Sequence, residues 1–478
     1  MFDALHMEFI KSSGIGFMYF YALAFFLIGF FLFIAVKKDI LKIDSNMTKF
    51  YLYTLLGAGL VMRLILAPII KGFSVDISCF QTWSYYAAKD LPNFYLTEVG
   101  GSKIFVDYPP FYIYVLAMIG KFIEVFNIPY GSTGHLFLIK LPSVIADVIT
   151  SYIIFKLASK KFKPEFSLLL SAFYLFNPAI LINSTLWGQI DSFFMLFIVT
   201  FLMFMKSERK PEATAVLAAA TLMKPHGVFF IPVLLYELCI ELFKRKNIKT
   251  VLMSVLYGLV TCIVIILPFS FNQKPLWIFE LFFNTSEGYK YASLNAFNFF
   301  SLIGKNLVSD SEIFFIFSYN TWGYIFLVLI CFGITPLLYF KSKNSSIVYL
   351  ASLIQATGLF VFWTRMHERY MFPAVALALL AFIYIKDIRL MVIFALSSFT
   401  VFVNSQVVLE RMMATEYPHV PANNPILIII SLLNVLLFAF LLWTSIDIIF
   451  RNKLILIDSK FNIKQDKPSK RRKKNKKH

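Results

Sequence analysis

Long apolar runs recur along almost the whole chain, and they constrain its fold more than any other feature. About 20 apolar residues are needed to cross the roughly 30 Å of hydrocarbon in a bilayer. Runs of this kind recur from Gly14 to the region of Phe450. Of the 478 residues, 59% are hydrophobic and only 15% are charged, which excludes an ordinary soluble globule. The sequence therefore predicts an all-α polytopic membrane protein.

The apolar runs predict a helical bundle of about 11–13 transmembrane helices. Eleven crossings are read directly: 14–36, 49–69, 136–158, 165–183, 187–206, 249–269, 319–340, 346–363, 370–385, 388–408 and 425–449. Segment 109–127 is interpreted as interfacial or re-entrant, and segment 211–243 as two short or broken helices. Non-helical backbone at membrane depth is tolerated only where it is buried in protein or lines a wet cavity, so these breaks point to a site.

Loops rich in Lys and Arg are expected on the cytoplasmic side of a membrane. Such loops lie around 37–49, 156–163, 206–210, 244–249 and 341–343. This pattern places the N-terminus outside, the C-terminus inside, and two long loops, 70–108 and 270–318, on the outer face. In the first loop, Ile77, Phe80, Trp83 and Ala87 recur at helical spacing, which predicts an amphipathic helix on the membrane surface.

The chain divides into one membrane-embedded domain, residues 1–450, and a basic tail, 451–478. The extra N-terminal helix 14–36 runs without a cleavage site into Lys37 and Lys38, so it is expected to stay as a span rather than act as a signal peptide. The tail carries +10 of the net +18 charge. It is expected to be disordered and cytoplasmic, and attracted to anionic lipids. Nucleic-acid binding is the weaker interpretation.

Ionisable side chains near the spans are the candidate site residues, because charge at membrane depth is costly and is usually functional. They cluster at Asp76, Asp107, 187–191, 224–226 and 365–370. The last cluster holds two arginines on the predicted outer side, against the usual basic bias. Their planar guanidinium groups match phosphate oxygens, so a lipid-linked phosphate is one expected partner. Pairing with the nearby Glu368 is the structural alternative.

Each remaining candidate also has a structural alternative. Asp76 is either a general base or a cap on the helix that follows it. Asp107 precedes Tyr-Pro-Pro and could simply mark the start of a helix. Trp187 could belong to an aromatic belt, and Lys224 could extend to the interface.

No metal or cofactor site is predicted. The four cysteines lie far apart and the six histidines are scattered, so no ligand spacing appears, and no disulfide or cysteine chemistry is expected. A pair of carboxylates such as Asp76 and Asp107 could hold a divalent ion, but nothing in the sequence indicates one.

These motifs resemble the polytopic GT-C glycosyltransferases, and within them bacterial proteins similar to the PIG-V-type GPI mannosyltransferases. The resemblance rests on Asp76, Asp107-Tyr-Pro-Pro, Trp187-Gly-Gln-Ile-Asp-Ser, Lys224-Pro, Ser293-Leu-Asn-Ala-Phe-Asn and Arg365-Met-His-Glu-Arg-Tyr. In this order they cover about residues 49–375. The sequence departs from the pattern at His226, where glutamine is more usual, and in having a helix ahead of the first usual span.

The resemblance implies transfer of a hexose such as mannose from a polyprenyl-phosphate sugar to a glycan, lipid or protein acceptor at the outer face of a bacterial plasma membrane. It further implies a single inverting displacement without a metal cofactor. The implied roles are as follows: general base or partner of the base, Asp76 and Asp107; contacts to the donor phosphate, Arg365, His367, Arg369 and Lys224; substrate pocket, Trp187, Gln189 and Asp191.

A transporter or flippase of lipid-linked sugars is the competing class, because transporters also combine broken helices with intramembrane charge. The absence of an evident internal repeat and the gathering of charges on one face favour the enzyme. A scaffold without chemistry would leave the charged motif at 365–369 unexplained.

Overall fold

A computed structural model describes residues 14–342, 344–414 and 419–462, and these are almost entirely helical. Within that part of the chain, nine helical stretches are long and apolar enough to cross a membrane. The predicted all-α polytopic architecture is confirmed.

The α-helices follow one another along the chain with few long interruptions. The first ten are α1 (Phe17–Lys37), α2 (Thr48–Ile69), α3 (Ser74–Lys89), α4 (Pro110–Val125), α5 (Thr133–Ala158), α6 (Pro164–Leu175), α7 (Pro178–Leu181), α8 (Asp191–Lys206), α9 (Lys210–Thr221) and α10 (Ile231–Cys239). The others are α11 (Ile248–Ile266), α12 (Trp277–Glu287), α13 (Phe299–Leu302), α14 (Tyr319–Val328), α15 (Thr335–Lys341), α16 (Ile347–Phe362), α17 (Pro373–Ile385), α18 (Ile388–Ala414) and α19 (Pro425–Ile449).

Shorter elements extend or connect these helices. The 3-10 turns are Ser45–Met47, Phe94–Leu96, Pro225–Phe230, Leu267–Phe269 and Ser459–Phe461, and the π-helical segments are Ile182–Trp187, Ile240–Lys244 and Leu329–Ile334. Two antiparallel hairpins are made of β1 (Glu98–Val99) with β2 (Ser102–Lys103), and of β3 (Ile313–Phe314) with β4 (Phe317–Ser318).

The spans differ from the predicted set in several segments: α8, α16 and α17, at the predicted crossings 187–206, 346–363 and 370–385, are shorter than a full span, and segment 211–243 is longer than expected. Segment 211–243 was expected to form two pieces that are both too short to cross. Its second piece instead joins a 3-10 turn, α10 and a π-helical segment into a continuous stretch, Pro225–Lys244, which is long enough to span. Proline at the start of a helix does not break it, because the first-turn N–H groups have no intrahelical partner.

The two central helices, α16 and α17, are shorter than a full span. They contain 16 and 13 residues, about 24 and 20 Å at 1.5 Å per residue. The first residue of α16, Ile347, and the last residue of α17, Ile385, border the same groove as the end of the full-length α19. The segment that joins them on the opposite side, 363–372, is therefore recessed into the bundle. This segment contains the charged motif at 365–370.

The predicted loop helix at 77–87 is present as α3, and its four periodic apolar residues are buried. They pack against α4 rather than facing open surface. Gly120 of α4 allows this approach, since a Cβ at Gly120 would lie 2.0 Å from the backbone oxygen of Ser84. Asp76 lies in α3, and Asp107 lies just before α4.

The start of the predicted tail is packed onto the bundle. The backbone of Ile455 accepts from Ile388 (2.9 Å), and Ile457 donates to Lys386 (3.0 Å). Phe461 is 1% exposed and its ring lies 4.4 Å from that of Phe166. The tail was expected to be disordered from residue 451, whereas residues 455–462 lie along the ends of several helices. Residues 463–478, which hold most of the basic run, lie outside the described residues.

Basic loops gather at one end of the bundle, which we call the basic end. Lys163 pairs with Asp39 (3.3 Å), Lys161 donates to the backbone of Tyr384 (3.3 Å), and Lys206 bonds to Ser345. Helices α5 and α8 both run from the region of the polar turn at 187–191 towards this end. The candidate site described below therefore lies at the opposite end, which we call the site end.

Candidate active site

Asp76 lies in the first turn of α3, and its carboxylate turns away from its own helix. The helix begins at Ser74, and its N-cap residue, Phe73, makes no side-chain capping bond. Oδ2 of Asp76 accepts from Trp187 Nε1 (2.8 Å) and Gln189 Nε2 (2.6 Å). Oδ1 accepts no hydrogen bond from the described residues. The capping alternative for Asp76 is therefore wrong, because no backbone N–H of the first turn is bonded to this carboxylate.

The turn that holds Asp76 depends on Gly188. The π-helical segment Ile182–Trp187 ends there with φ +88°, a left-handed conformation that favours glycine. A Cβ at Gly188 would also lie 2.8 Å from Ile77 Cδ1. The peptide N–H groups of Gly188 and Gln189 both donate to the carbonyl of Asn183. This tight turn points Trp187 and Gln189 at the same carboxylate oxygen.

A polar stripe on α5 holds the same turn from the other side. Lys140 Nζ donates to the carbonyl oxygens of Ala67 (3.2 Å) and Leu186 (2.9 Å), and also to that of Ile70. One turn later, Ser143 donates to the carbonyl of Gln189 (2.8 Å). Asp147, still further along, accepts from Ser184 (2.6 Å) and from Arg63 (3.0 Å). These bonds fix the backbone between residues 184 and 189 relative to α2 and α5.

Asp191 and Lys224 form a buried ion pair. Asp191 is the first residue of α8, and it also accepts from Asn183 Nδ2 (2.8 Å). Lys224 lies just before Pro225, at the break in segment 211–243, and is 4% exposed. Each charge therefore already has a partner. A phosphate could contact Lys224 only by sharing it with Asp191.

Arg365 and Arg369 have different surroundings. Arg365 has φ +63°, and its guanidinium pairs with Asp310 (2.7 Å) and Glu287 (3.0 Å), both from the loop 270–318. Arg369 pairs with Glu368 and lies over the indole of Trp187, 5.4 Å from the ring centre. The Nε of Arg369 is buried without a partner among the described residues. The pairing with Glu368 that was the structural alternative is thus present for Arg369. Arg365 instead connects the recessed segment 363–372 to the loop 270–318.

His367 is held by backbone pairing and by aromatic rings. The neighbouring carbonyl of Met366 accepts from the N–H of Leu294 (2.9 Å), so the charged motif pairs with the Ser293–Asn298 motif. The imidazole lies 4.7 Å from the ring of Tyr289, and its Nε2 has no partner among the described residues. Burial lowers the pKa of His367 well below its usual value. At neutral pH the ring is therefore uncharged and can donate one hydrogen bond.

A cavity of about 230 Å³ joins these groups at the site end. Asp107 lies in its wall, and Oδ2 of this residue accepts from the hydroxyl of Tyr289 (3.2 Å). Burial raises the pKa of the Asp107 carboxyl above its usual range. Among the lining residues, His226 Nδ1, His367 Nε2 and Arg369 Nε are buried atoms without partners in the described part of the chain. Buried polar atoms normally find partners, so this cavity is suited to a polar ligand.

Asp76 does not line this cavity directly, but Trp187 and Arg369 link the two. Trp187 donates to Asp76 and is covered by Arg369, which lines the cavity. The Asp76 carboxylate also interacts electrostatically with Arg369 and with Asp107. The predicted candidates therefore form one site, except that Arg365 is committed to two carboxylates.

Three contributors to the site were not predicted: Tyr289, Glu287 and Asp310. All three lie in the loop 270–318, which has no charged motif of its own. The one available signal was the pair of arginines in 365–370, which required acidic partners somewhere in the outer loops. Sequence alone could not say which carboxylates supplied them.

One group of carboxylates elsewhere has metal-like spacing among the described residues. Glu208, Glu237 and Glu241 lie near the basic end, with their oxygens within 4.8 Å of one another. Lys210 and Arg245 pair with all three of them. Two cations therefore already offset most of their charge, and the group is a partly buried ion network. Asp76 and Asp107 are held by different partners and share no contact.

Comparison with known proteins gives one match. No curated protein is matched by the chain. A protein-family model described as dolichyl-phosphate-mannose-protein mannosyltransferase matches residues 107–271, which include Asp107, Trp187, Gln189, Asp191 and Lys224. Asp76 and the segment 365–370 lie outside the match. The proposed likeness to PIG-V-type proteins and a bacterial origin stay predictions.

This family belongs to the GT-C glycosyltransferases, so the predicted membrane transferase class is supported both by the match and by the nine apolar helices. Over residues 107–271, roughly a third of its length, the chain therefore matches the dolichyl-phosphate-mannose-protein mannosyltransferase family of the GT-C superfamily.

Proposed function

We propose that the protein transfers a hexose, with mannose the first candidate, from a polyprenyl-phosphate sugar to a hydroxyl acceptor at the site end. The proposal rests on the Asp76 carboxylate: Trp187 and Gln189 both donate to one of its oxygens, and the other oxygen accepts no hydrogen bond from the residues that the structure describes. A fixed carboxylate with a free oxygen is suited to accept a proton. Arg369, stacked on the same tryptophan, supplies a cation within the same site.

The chemistry is a single displacement. The acceptor oxygen attacks the anomeric carbon and loses its proton to Asp76, while the bond from that carbon to the phosphate oxygen breaks. The polyprenyl phosphate leaves with the electron pair, and the anomeric configuration is inverted. A phosphate leaving group needs stabilisation of its charge more than protonation. Arg369 provides that charge, with His367 as an uncharged donor and Lys224 shared with Asp191.

The other residues position the substrates. Asp107, with its raised pKa and its bond from Tyr289, orients the acceptor or shares the proton. Trp187, Gln189 and Asp191 shape the pocket beside the base. Arg365 holds the loop 270–318 against the recessed segment through Asp310 and Glu287, so we assign it a positioning role rather than a phosphate contact.

The site end faces outward in this proposal. The Lys-rich loops gather at the opposite end of the bundle, and basic loops favour the cytoplasmic side. The acceptor is then a glycan, lipid or protein of the cell envelope, and the protein lies in the plasma membrane. No metal ion is needed for this chemistry.

The competing transporter would need a site that opens to both sides. Between the cavity and the basic end, the helices are joined by the buried pair of Arg63 with Asp147, both 0% exposed. The central α16 is buried along almost its whole length. This packing gives no support to a route through the bundle and favours a one-sided enzyme.

The test is incubation of the purified protein with radiolabelled polyprenyl-phosphate sugars and a panel of hydroxyl acceptors. We expect label to move to an acceptor with release of polyprenyl phosphate, and Asp76→Asn to abolish this release. Glu98→Gln, an exposed acid in the same loop, is the matched control. Failure of every lipid-phosphate donor, together with ATP-independent movement of the lipid-linked sugar across proteoliposomes, would replace the enzyme with the flippase.

A further inference from the structure

Three lysines at the basic end lie close together, two of them over one aromatic ring, and none has an acidic partner among the described residues. Lys161 follows α5, Lys206 ends α8 and Lys386 follows α17. The ammonium groups of Lys161 and Lys206 lie 4.5 and 5.8 Å from the centre of the Tyr384 ring. Lys386 repels Lys161 electrostatically, so all three belong to one cluster. We call Lys161, Lys206 and Lys386 the lysine cluster.

The acidic groups nearest to the cluster are already paired. Asp387, next to Lys386, accepts from Arg389 at 2.9 and 2.8 Å and from the N–H of Ile455 at 3.0 Å. Asp39 pairs with Lys163. Glu165 forms no ion pair within 4 Å with any of the three lysines among the described residues. Within the described part of the chain, the ammonium groups of the cluster donate to neutral atoms, Tyr384 O, Ser345 Oγ and Asn462 Oδ1.

This arrangement costs free energy in the unliganded protein. All three side chains are partly buried, and burial together with repulsion from Lys386 and Lys206 lowers the pKa of Lys161 to about 8. Lysines that serve only to orient a membrane protein can be exposed at helix ends and in loops, as Lys37, Lys38 and Lys160 are here. Bringing three of them together from separate segments requires a compensating anion.

A groove with both polar and apolar lining residues begins next to the cluster. It has a volume of about 650 Å³ and shares Ser345 with the contacts of Lys206. Its far wall is apolar, formed by Ile347, Leu350, Ile448 and Ile449, and Lys341 stands at its rim. The groove lies at the ends of α15 and α19, where spans leave the apolar layer. Basic side chains beside an apolar wall at the membrane surface match the charged headgroup and the apolar acyl chain of an anionic phospholipid.

We infer that the lysine cluster and this groove bind one anionic phospholipid, with its phosphate on Lys161, Lys206 and Lys386 and an acyl chain along the groove. Charge complementarity carries the choice of occupant, since a zwitterionic headgroup would bring a cation into a cluster whose described neighbours include no unpaired carboxylate. The site is independent of the proposed transfer reaction, because it lies at the other end of the bundle. Its effect is to anchor α5, α8 and α17 together at the membrane surface.

The test compares a triple variant, Lys161→Gln with Lys206→Gln and Lys386→Gln, with a control variant that loses the same charge from exposed positions, Lys37→Gln with Lys38→Gln and Lys160→Gln. Binding is measured by native mass spectrometry and by the thermal midpoint in detergent with added phosphatidylglycerol or phosphatidylcholine. Each lysine near an anionic lipid surface contributes about 1 kcal/mol, so we expect about 100-fold weaker phosphatidylglycerol binding in the cluster variant.

The order of the thermal midpoints of the wild type and the cluster variant should depend on the added lipid. Without anionic lipid, the cluster variant should melt at the same temperature as the wild type or higher, because repulsion is removed. With phosphatidylglycerol, the wild type and the control variant should gain stability and the cluster variant should not. Equal gains in the cluster and control variants, equal effects of the two lipids, or full reproduction of the gain by inorganic phosphate alone would each overturn the inference.

Discussion

At the residue scale, a substitution at Asp76 can separate a role as general base from a role in stabilising the fold. Both donors to Asp76 reach the same oxygen, so the amide oxygen of Asp76→Asn can accept the same two bonds from Trp187 and Gln189. Only the ability to take a proton is lost. We expect the transfer rate to fall by about 10²- to 10⁴-fold with donor affinity and thermal midpoint unchanged. Initial rates and a melting curve on the same preparation measure both.

The companion variant is Asp107→Asn. Because the Asp107 carboxylate lies in the cavity wall and accepts from Tyr289, its substitution should change the acceptor KM more than the rate constant. If Asp107→Asn abolished transfer while Asp76→Asn remained near wild type at unchanged stability, the base would be Asp107. The two carboxylates would then exchange the roles proposed here.

The two arginines of the recessed segment should separate in the same kind of experiment. Arg369→Lys keeps the charge but loses the planar group, so the KM for the lipid donor should rise with little change in the midpoint. Arg365→Ala leaves Asp310 and Glu287 without their cation and should lower the midpoint. A double-mutant cycle with Asp310→Ala measures that coupling. If Arg365→Ala instead raised the KM for the lipid donor without loss of stability, Arg365 would be a phosphate contact, as the sequence predicted.

The sequence predicted which residues gather at the site but not what each one contacts. Asp76, Trp187, Gln189, Arg369 and His367 were recognised because charged or aromatic groups interrupt apolar runs. Their partners in the loop 270–318 could not be inferred, since ion pairs between residues 55 to 78 positions apart leave no local pattern. The same limit explains why Arg365, similar to Arg369 in sequence, turned out to face different groups.

At the scale of elements, the approach of α3 to the π-helical turn depends on Gly72. This residue has φ +76°, and a Cβ there would lie 2.4 Å from the carbonyl oxygen of Trp187. Gly72→Ala must therefore shift backbone beside the base. We expect the midpoint to fall, with at least about 1 kcal/mol lost to the left-handed conformation, and transfer to fall with it.

Gly57→Ala is the matched control. Gly57 lies inside α2, and a Cβ there would meet nothing within 4 Å. Alanine is the better helix former by about 1 kcal/mol, so the midpoint should stay the same or rise. Equal losses in the two glycine variants would show that the close approach at Gly72 is not important.

The long apolar helices were predictable from length and composition, and the breaks within them were only partly so. Segment 211–243 was expected to fall short of a span because Lys224, Pro225 and Gly227 interrupt it. The 3-10 and π-helical turns on either side of α10 restore its length, and such turns have no sequence signature of their own. The shortness of α16 and α17 was visible in the sequence, but their central burial follows from packing.

At the scale of the whole molecule, the two ends of the bundle differ in their electrostatics. The basic end collects lysines from loops far apart in sequence, whereas charges at the site end are paired or line the cavity. Such a division follows from the bias of basic loops towards the cytoplasm. The proposed mechanism requires the site end to face outward, which makes orientation the most general test of the proposal.

Cysteine labelling measures that orientation directly. Lys103 lies exposed in the hairpin of β1 with β2, near the site end, and Lys160 lies exposed at the basic end. In a background lacking the four native cysteines, Lys103→Cys should react with an impermeant maleimide in intact cells. Lys160→Cys should react only after permeabilisation, because the reagent cannot cross the bilayer. If the two cysteines showed the reverse pattern, the cavity would open to the cytoplasm and the lysine cluster to the outer leaflet. The acceptor would then be a cytoplasmic hydroxyl, and the outward-facing mechanism would be lost even if transfer itself remained.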